Sequence, residues 1–259
     1  MVVERLHIEE PEPPAPVTEP EKTFEEVLDE HPVSIQVNGQ WQTFPNAKAA
    51  EEASYEEYKA NLRRNAKNFR ITDEHLGEGG PKAKFLANIN AIRLLKELEA
   101  AGQQASPEQQ EVLSRYVGWG GLSDAFDPEK PAWALEYAQL KELLTPEEYA
   151  AARSSTLNAH YTSPTVIQAI YEAVDRMGFE TGNILEPSMG VGNFFGMLPE
   201  KMQNSRLYGV ELDPVSGRIA KQLYPKADIT VGGFETTDRR DFFDLAIGNV
   251  PFGQYQVND

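Results

Sequence analysis

The spacing of hydrophobic residues changes beyond the middle of the chain. Before residue 155, apolar side chains recur at steps of three and four residues, the spacing that places them on one face of a helix. The clearest case is a predicted helix that ends at Gly102, with an apolar face made of Phe85, Ile89, Ile92 and Leu95. From residue 156 onward, short apolar runs alternate with helical segments. This alternation predicts an α/β fold with a parallel sheet and right-handed crossovers.

The first 155 residues divide further by composition. Residues 1–30 are rich in Pro and Glu, and such a segment buries too little apolar surface to offset its ordering entropy, so we predict a disordered acidic linker. Two β-prone runs flank Asn38-Gly39, which predicts a hairpin with a type I′ turn. We therefore assign residues 31–155 to a small β-hairpin and a helical domain, and residues 156–259 to the α/β domain.

Charge and cysteine content exclude several classes of function. The 259-residue chain has 41 acidic residues against 24 basic ones and a formal net charge of −17. Phosphate binding depends mostly on Lys and Arg, so we expect any DNA-gripping surface to lie elsewhere in a longer polypeptide. Cysteine is absent, which excludes a disulfide scaffold, a thiolate zinc site and a cysteine nucleophile.

The remaining composition predicts neither a metal site nor a membrane segment. The four histidines are scattered without the spacing of metal ligands. No apolar run approaches the roughly 20 residues of a membrane span. The first ten residues lack the apolar region of a signal peptide, so we expect a cytoplasmic protein.

A glycine-containing turn is the first candidate for chemistry. Gly190 and Gly192 follow a predicted strand and open a helix, where the absence of a Cβ allows a tight turn and close approach to a ligand. Glu211 ends the next predicted strand, at the spacing of a carboxylate that accepts hydrogen bonds from ribose hydroxyls. A dinucleotide site would need a small residue where Phe195 stands, and the acidic Glu186 favours a cationic ligand. S-adenosylmethionine, with its sulfonium and ammonium groups, fits these residues better than a pyrophosphate does.

The second candidate is the sequence Asn249-Val250-Pro251-Phe252, which follows an apolar strand. The side-chain oxygen of Asn249 and the carbonyl of Val250 are two acceptors that suit the hydrogens of an exocyclic amine. Pro251 would stiffen the turn, and Phe252 would stack on a base, a contact of roughly 1–3 kcal/mol in base-binding proteins. Such stacking would help to offset the few kcal/mol needed to flip a base out of a duplex.

Together these motifs resemble a known enzyme class. The chain carries, in order, Thr162, Glu186-Pro187, Gly190-Val191-Gly192, Asn193-Phe194, Gly209-Val210-Glu211-Leu212-Asp213 and Asn249-Val250-Pro251-Phe252. This order is similar to that of amino-methyltransferases that act on N6 of adenine in DNA, including the methylase subunits of type I restriction systems. The upstream residues Gly79-Gly80-Pro81-Lys82, 88–95 and 116–122 resemble the large helicase–methylase fusion proteins of bacterial plasmids and conjugative elements.

The resemblance covers most of the chain from about residue 33 and implies a class I methyltransferase, Rossmann-like sheet. It also implies S-adenosylmethionine as cofactor, double-stranded DNA as substrate and a downstream helicase region in the same polypeptide. Tyr161 and Thr162 would contact the methionine part of the cofactor, Glu186 its ammonium, Glu211 its ribose and Leu212 its adenine. The full implied cofactor set is Tyr161, Thr162, Glu186, Pro187, Ser188, Gly190, Gly192, Asn193, Phe194, Glu211 and Leu212.

Two departures from the family pattern keep other functions open. Val250 stands where the family usually has a proline, and Gly232-Gly233 stand where an acid usually reads the adenine amine, with Glu235 as a substitute. One alternative is a methyltransferase that acts on the side-chain amide of a protein glutamine. Another is a non-catalytic module that binds the cofactor or forms a scaffold for a DNA helicase.

Two upstream loops have both a structural and a functional interpretation. Trp119 is either a flap over a ligand or a buried residue at a helix end, and we favour the buried position. Residues 77–84, with three glycines and two lysines, either hold a phosphate or form a plain interhelical loop, and we favour the loop.

The last strand of the predicted sheet would be an unpaired edge strand. Residues 242–250 would form a long apolar edge without a lysine or proline to protect it, which favours aggregation. We therefore expect the sheet to be incomplete at its C-terminal side and the native polypeptide to continue past Asp259. On this interpretation the 259-residue chain alone binds DNA weakly and shows little turnover.

Overall fold

The computed structural model describes residues 31–157 and 161–250, without the side chains of residues 58–65. The predicted linker 1–30, together with Pro251 and Phe252 of the second motif, lies outside these residues. The chain divides into two units, Met1–Asn61 and Leu62–Asp259. Across the described residues, no helix has both the length and the apolarity that a membrane span requires.

The first unit contains the predicted hairpin. Strands β1 (Val33–Val37) and β2 (Gln40–Phe44) pair antiparallel, so that Val37 faces Gln40 across the turn. Asn38 and Gly39 have φ values of 52° and 74°, the positive pair that a type I′ turn requires. Helix α1 (Ala47–Asn65) follows, and the Asn46 side chain accepts a hydrogen bond from the main chain of Ala49 in its first turn.

The second unit contains several helices ahead of its sheet. They are α2 (Pro81–Ala100), α3 (Pro107–Ser114), α4 (Ala134–Leu143) and α5 (Pro146–Ser155). Ser106 and Thr145 form capping boxes with the side chains of Gln109 and Glu148, which satisfy main-chain amides at the helix starts. The α2 face predicted from the spacing of Phe85, Ile89, Ile92 and Leu95 is buried.

An α/β region follows in the same unit. Its elements are α6 (Pro164–Arg176), β3 (Asn183–Glu186), α7 (Asn193–Gly196), β4 (Arg206–Glu211), α8 (Pro214–Leu223), β5 (Asp228–Val231) and β6 (Leu245–Ala246). The four strands are parallel in the order β5-β4-β3-β6. The predicted α/β fold with a parallel sheet is therefore confirmed. The chain steps outward from β3 to β5 and then returns to the other side of β3, so strand order reverses between β3 and β6.

The helices and the sheet share one hydrophobic core. Ile89 and Trp119 from the helical region belong to the same buried cluster as Ile184 and Ile229 from the sheet. The boundary that the sequence suggests at residue 155 lies inside this continuous cluster, and the division into two domains there stays a prediction.

Two predicted elements are shorter in the structure. The sequence predicts a helix over residues 193–202 after the glycine turn, but it ends at Gly196, because Pro199 interrupts the segment before a 3₁₀ turn at Glu200–Met202. The strand predicted over residues 242–250 pairs with β3 only at Leu245 and Ala246. Phe242 and Phe243 instead pack edge-on against Tyr208 of β4, with ring centroids 5.2 and 5.5 Å away.

Candidate functional site

The candidate residues meet at the carboxyl ends of the central strands. Glu186 is the last residue of β3 and Glu211 the last residue of β4, while Asn249 follows β6 closely. In open parallel sheets, ligands bind outside the carboxyl ends of the strands where strand order reverses. The observed order puts this point between β3 and β6, beside the glycine turn that follows Glu186.

The glycine turn is tight because both glycines adopt positive φ, 56° at Gly190 and 83° at Gly192. The turn closes through a 2.8 Å hydrogen bond from the amide of Gly192 to the carbonyl of Met189. A Cβ on Gly192 would lie 2.6 Å from the ring of Tyr224, so no other residue fits there without displacement. Sequence reasoning assigned both glycines to a ligand, and the structure shows that Gly192 is also required by packing.

The side chain of Glu211 is held in place by main-chain hydrogen bonds, one of them from the glycine turn. One of its carboxylate oxygens accepts a hydrogen bond from the amide of Gly190 at 2.6 Å, and the other accepts one from Asp213 at 2.7 Å. Burial raises the pKa of Glu211, although these main-chain hydrogen bonds act in the opposite direction. A carboxylate has about four acceptor sites, so Glu211 retains the capacity to accept hydrogen bonds from hydroxyl groups of a ligand.

Glu186 is a buried carboxyl without a partner for one oxygen. Its side chain is 2% exposed, and Oε2 has no hydrogen-bond partner among the described residues. Burial raises the pKa of Glu186 well above its ordinary value, and the nearby charge of Glu211 raises it further. Leaving a buried polar group unpaired is costly, so the site is suited to a cationic donor that would pair with this oxygen.

Tyr161 lies against the same turn. A Cβ on Gly190 would be 3.2 Å from the Tyr161 ring, which shows how closely the ring and the turn approach. The hydroxyl of Tyr161 is 3.4 Å from that of Ser216, at the start of α8. Burial raises the pKa of Tyr161, so its hydroxyl is a neutral hydrogen-bonding group. Thr162, half-buried, follows it directly.

The other predicted cofactor residues differ in their surroundings. Pro187 and Ser188 are half-buried in the turn, and Asn193 is half-buried at the start of α7. Phe194 is 2% exposed, and its ring packs against Tyr171 at 6.2 Å in the core. Its side chain therefore contributes to packing beneath the site, and a ligand would meet only its main chain. Leu212 is 74% exposed beside Glu211, where it could cover an apolar ring.

The second motif approaches the first through Gly248. A Cβ on Gly248 would lie 3.5 Å from Glu186 and 3.6 Å from Pro187. Asn249 and Val250, the next two residues, are exposed. Asn249 thus directly follows a residue that lies against Glu186, and Pro251 and Phe252 lie outside the described residues. Glu235, proposed as a substitute acid after β5, folds back over the main chain of Gly233.

Two residues that the sequence did not single out, Tyr116 and Ser216, lie close to Tyr161. Tyr116 is 1% exposed, and burial raises the pKa of its hydroxyl, which lies close to Asp213 and Tyr161. Ser216 joins this group from α8. The sequence signal that could have identified Tyr116 is its place directly before the Val117-Gly118 turn.

The two upstream loops have structural roles. Trp119 is 1% exposed and packs edge-on against Phe126 at 5.2 Å, which confirms the buried interpretation. Lys82, in the segment considered for phosphate, lies in the first turn of α2, pairs with Glu136 and lies over the ring of Trp133. Within 31–157 and 161–250, Asp, Glu and His side chains form no group of three or more that would hold a metal ion.

Comparison with known proteins gives two stretches of sequence similarity and no match to a protein-family model. The chain is 28% identical over 180 residues to defense against restriction protein B of Escherichia phage P1, covering 68% of this chain and 6% of that protein. It is 45% identical over 74 residues to the type II methyltransferase M.CvrRI of Paramecium bursaria Chlorella virus XZ-6E, covering 29% of this chain and 19% of that protein. The chain shares sequence with a viral methyltransferase. It spans only a small part of either relative.

Comparison with solved structures gives a weak match to a protein from Listeria monocytogenes described as a class I S-adenosylmethionine-dependent methyltransferase. It is 15% identical to this chain, with a TM-score of 0.35, and the match covers 68% of this chain and 60% of that one.

Proposed function

We propose that this chain carries the cofactor-binding half of an S-adenosylmethionine-dependent methyltransferase that acts on the N6 amine of adenine in DNA. The observation that supports the proposal is that Glu186 and Glu211 end adjacent strands beside the strand-order reversal, where Gly248, the neighbour of Asn249, lies against Glu186. The sequence similarity to a viral type II methyltransferase supports methyl transfer as the reaction. The resemblance to helicase–methylase fusions supports a larger polypeptide with a helicase region and double-stranded DNA as partner.

The donor groups of the cleft fit the cofactor. The unpaired oxygen of Glu186 suits the ammonium group of S-adenosylmethionine, and the remaining acceptor sites of Glu211 suit its ribose hydroxyls. Leu212 offers an exposed apolar side chain for the adenine. When bound, S-adenosylmethionine supplies a methyl group on a sulfonium. Two buried or half-buried carboxyls near one turn favour such a cation over a polyphosphate.

The acceptors that follow β6 suit the target amine. The exocyclic nitrogen of adenine is a poor nucleophile because its lone pair is conjugated with the ring. The Asn249 side-chain oxygen and the Val250 carbonyl would accept its two hydrogens and localise the lone pair toward the methyl group. Both residues are exposed, so a base flipped out of a duplex could reach them. Phe252 would stack on that base, and Pro251 would stiffen the turn.

The first test is calorimetric titration of the chain with S-adenosylmethionine, with NAD as the matched control. Both ligands contain adenosine, but NAD carries a pyrophosphate that the paired carboxyls disfavour. We expect binding of S-adenosylmethionine and not of NAD. Binding of NAD alone would point to a dinucleotide site and overturn the proposal.

The second test separates the substrate classes in the full polypeptide that carries this chain. Tritiated methyl transfer is measured to DNA and to protein, with wild type and Asn249→Ala. We expect label in DNA, at N6 of adenine, and loss of that label in the variant with cofactor binding retained. Label in protein glutamine would support the amide alternative, and genomic adenine methylation unaffected by Asn249→Ala would support a scaffold.

A further inference from the structure

A buried asparagine in the helical region forms two hydrogen bonds with the main chain of the loop before Trp119. Asn88 of α2 is fully buried, and its amide nitrogen donates a 2.6 Å hydrogen bond to the carbonyl of Gly118. Its amide oxygen accepts a 2.9 Å hydrogen bond from the main chain of Val117. An amide can donate and accept at once, so Asn88 satisfies both the buried Gly118 carbonyl and the part-buried Val117 amide.

The loop that Asn88 holds, at Val117 and Gly118, lies directly against Tyr161. Gly118 has a φ of 65°, and a Cβ there would be 2.6 Å from Cε2 of the Tyr161 ring. The ring therefore contacts the main chain of Gly118, at the point where Asn88 holds its carbonyl. Any shift of this loop must move Tyr161 or open a gap beside it, because the interior is closely packed.

The opposite edge of the same ring lies against the glycine turn. A Cβ on Gly190 would be 3.2 Å from Cε1 of Tyr161 and 3.3 Å from its hydroxyl. Tyr161 is thus held between two glycines of positive φ, one from the helical region and one from the turn after β3. The amide of Gly190 in turn donates to the carboxylate of Glu211.

From this chain of contacts we infer that Asn88 is a positioning residue for the cleft, which fixes the glycine turn and Glu211 through Gly118 and Tyr161. Its importance for cofactor affinity rests on the proposed function. The helical region is then part of the site, although none of its residues named here needs to touch the ligand. A buried asparagine that served only the folding of α2 would leave the turn after β3 unchanged.

The test compares Asn88→Leu with Leu98→Ala, a core substitution at the far end of the same helix. The leucine in Asn88→Leu is similar in size but leaves the Val117 amide and the Gly118 carbonyl without partners. Hydrogen exchange of residues 188–192 is followed in the unliganded proteins, and cofactor affinity is measured by calorimetry at a temperature where all variants are folded. We expect faster exchange and affinity about tenfold weaker in Asn88→Leu, and neither change in Leu98→Ala.

A second variant pair tests the path through Tyr161. Gly118→Ala places a methyl group against the ring, so we expect weaker cofactor binding. On a Tyr161→Ala background the same substitution should weaken binding much less, because the backbone strain is common to both and only the ring contact differs. Additive losses would overturn the role of Tyr161 in the path.

The outcomes separate the two proposals. A wild-type protein that fails to bind S-adenosylmethionine overturns the proposed function, while the exchange of residues 188–192 still decides whether Asn88 positions the turn. If Asn88→Leu matches wild type in exchange at that turn, or changes it no more than Leu98→Ala does, the positioning role is wrong.

Discussion

The main-chain amide of Gly190 donates a 2.6 Å hydrogen bond to the carboxylate of Glu211. Gly190 lies in the turn after β3 and Glu211 is the last residue of β4, so this bond joins the glycine turn to the end of the neighbouring strand. It orients the carboxylate and satisfies a half-buried amide in the turn at the same time. Substitution of either residue is therefore expected to affect the geometry of the whole cleft.

We expect Glu211→Ala to weaken S-adenosylmethionine binding at least about tenfold, because it removes the proposed ribose acceptor and frees the Gly190 amide. Calorimetry measures the affinity. Glu97→Ala, an exposed change on α2, is the matched control and should bind as wild type does. Equal affinities in both variants would show that Glu211 does not contribute to cofactor binding.

The raised pKa of Glu186 predicts that unliganded stability falls with rising pH. A carboxyl whose folded pKa lies above its unfolded value stabilises the fold fully below the unfolded pKa and loses that contribution as pH rises through the folded pKa. Glu186→Gln keeps the shape and cannot ionise. Thermal unfolding of both proteins from about pH 5 to about pH 9 should show a decline in wild type that the variant lacks. Parallel curves would contradict the burial argument.

The same group should link cofactor binding to pH. A cationic ligand favours the charged form of Glu186, so binding releases a proton below the folded pKa of the free protein, and affinity increases as pH rises toward it. Calorimetry in two buffers of different ionisation enthalpy measures this proton release. Glu186→Gln should bind more weakly and with little pH dependence.

Gly192→Ala should destabilise the fold by about 2–5 kcal/mol, the sum of left-handed backbone strain and collision with the ring of Tyr224. Gly178→Ala is the matched control, because Gly178 has a φ of 85° and open space where a Cβ would stand. It should cost about 1–2 kcal/mol, the backbone contribution alone. Urea unfolding gives both free energies, and equal costs would show that Tyr224 yields without penalty.

Glu148 joins the helical region to α8 and should be important for stability. Its buried carboxylate accepts hydrogen bonds from Lys96 at 2.8 Å and Arg218 at 2.7 Å. Glu148→Ala removes the buried carboxylate partner of both cations and leaves Lys96 only the Leu143 carbonyl and Arg218 only Glu99, so we expect a loss of about 3 kcal/mol in the free energy of unfolding. Glu99→Ala removes an exposed partner of Arg218 and should cost under about 1 kcal/mol. A similar cost for both changes would contradict this assignment.

Acid conditions should reduce the difference between wild type and Glu148→Ala. Burial acts against the charged form of Glu148, but hydrogen bonds from Lys96, the Thr145 main chain and Arg218 outweigh it and hold the pKa below its ordinary value. The contribution of Glu148 is therefore present above the unfolded pKa and lost as pH falls through the lowered folded pKa. Unfolding curves of the two proteins at successively lower pH measure this convergence.

The sequence by itself determined the local features of this protein. The Asn38-Gly39 turn, the helix starts at Ser106 and Thr145, and the alternation that produces a parallel sheet depend on neighbouring residues, whose conformational preferences operate before any tertiary contact forms. The positions of Glu186 and Glu211 at strand ends followed from the same patterns.

Only the tertiary structure decided which of these residues meet and what surrounds them. The sheet pairing at Leu245 and Ala246 is shorter than the apolar run suggests, because Phe242 and Phe243 pack on Tyr208 instead. The contacts from Asn88 to Gly118 and from Tyr161 to Gly190 join segments far apart in sequence. Burial and hydrogen bonding between distant segments depend on the complete fold. No local pattern therefore encodes the unpaired oxygen of Glu186 or the position of Tyr161 between Gly118 and Gly190.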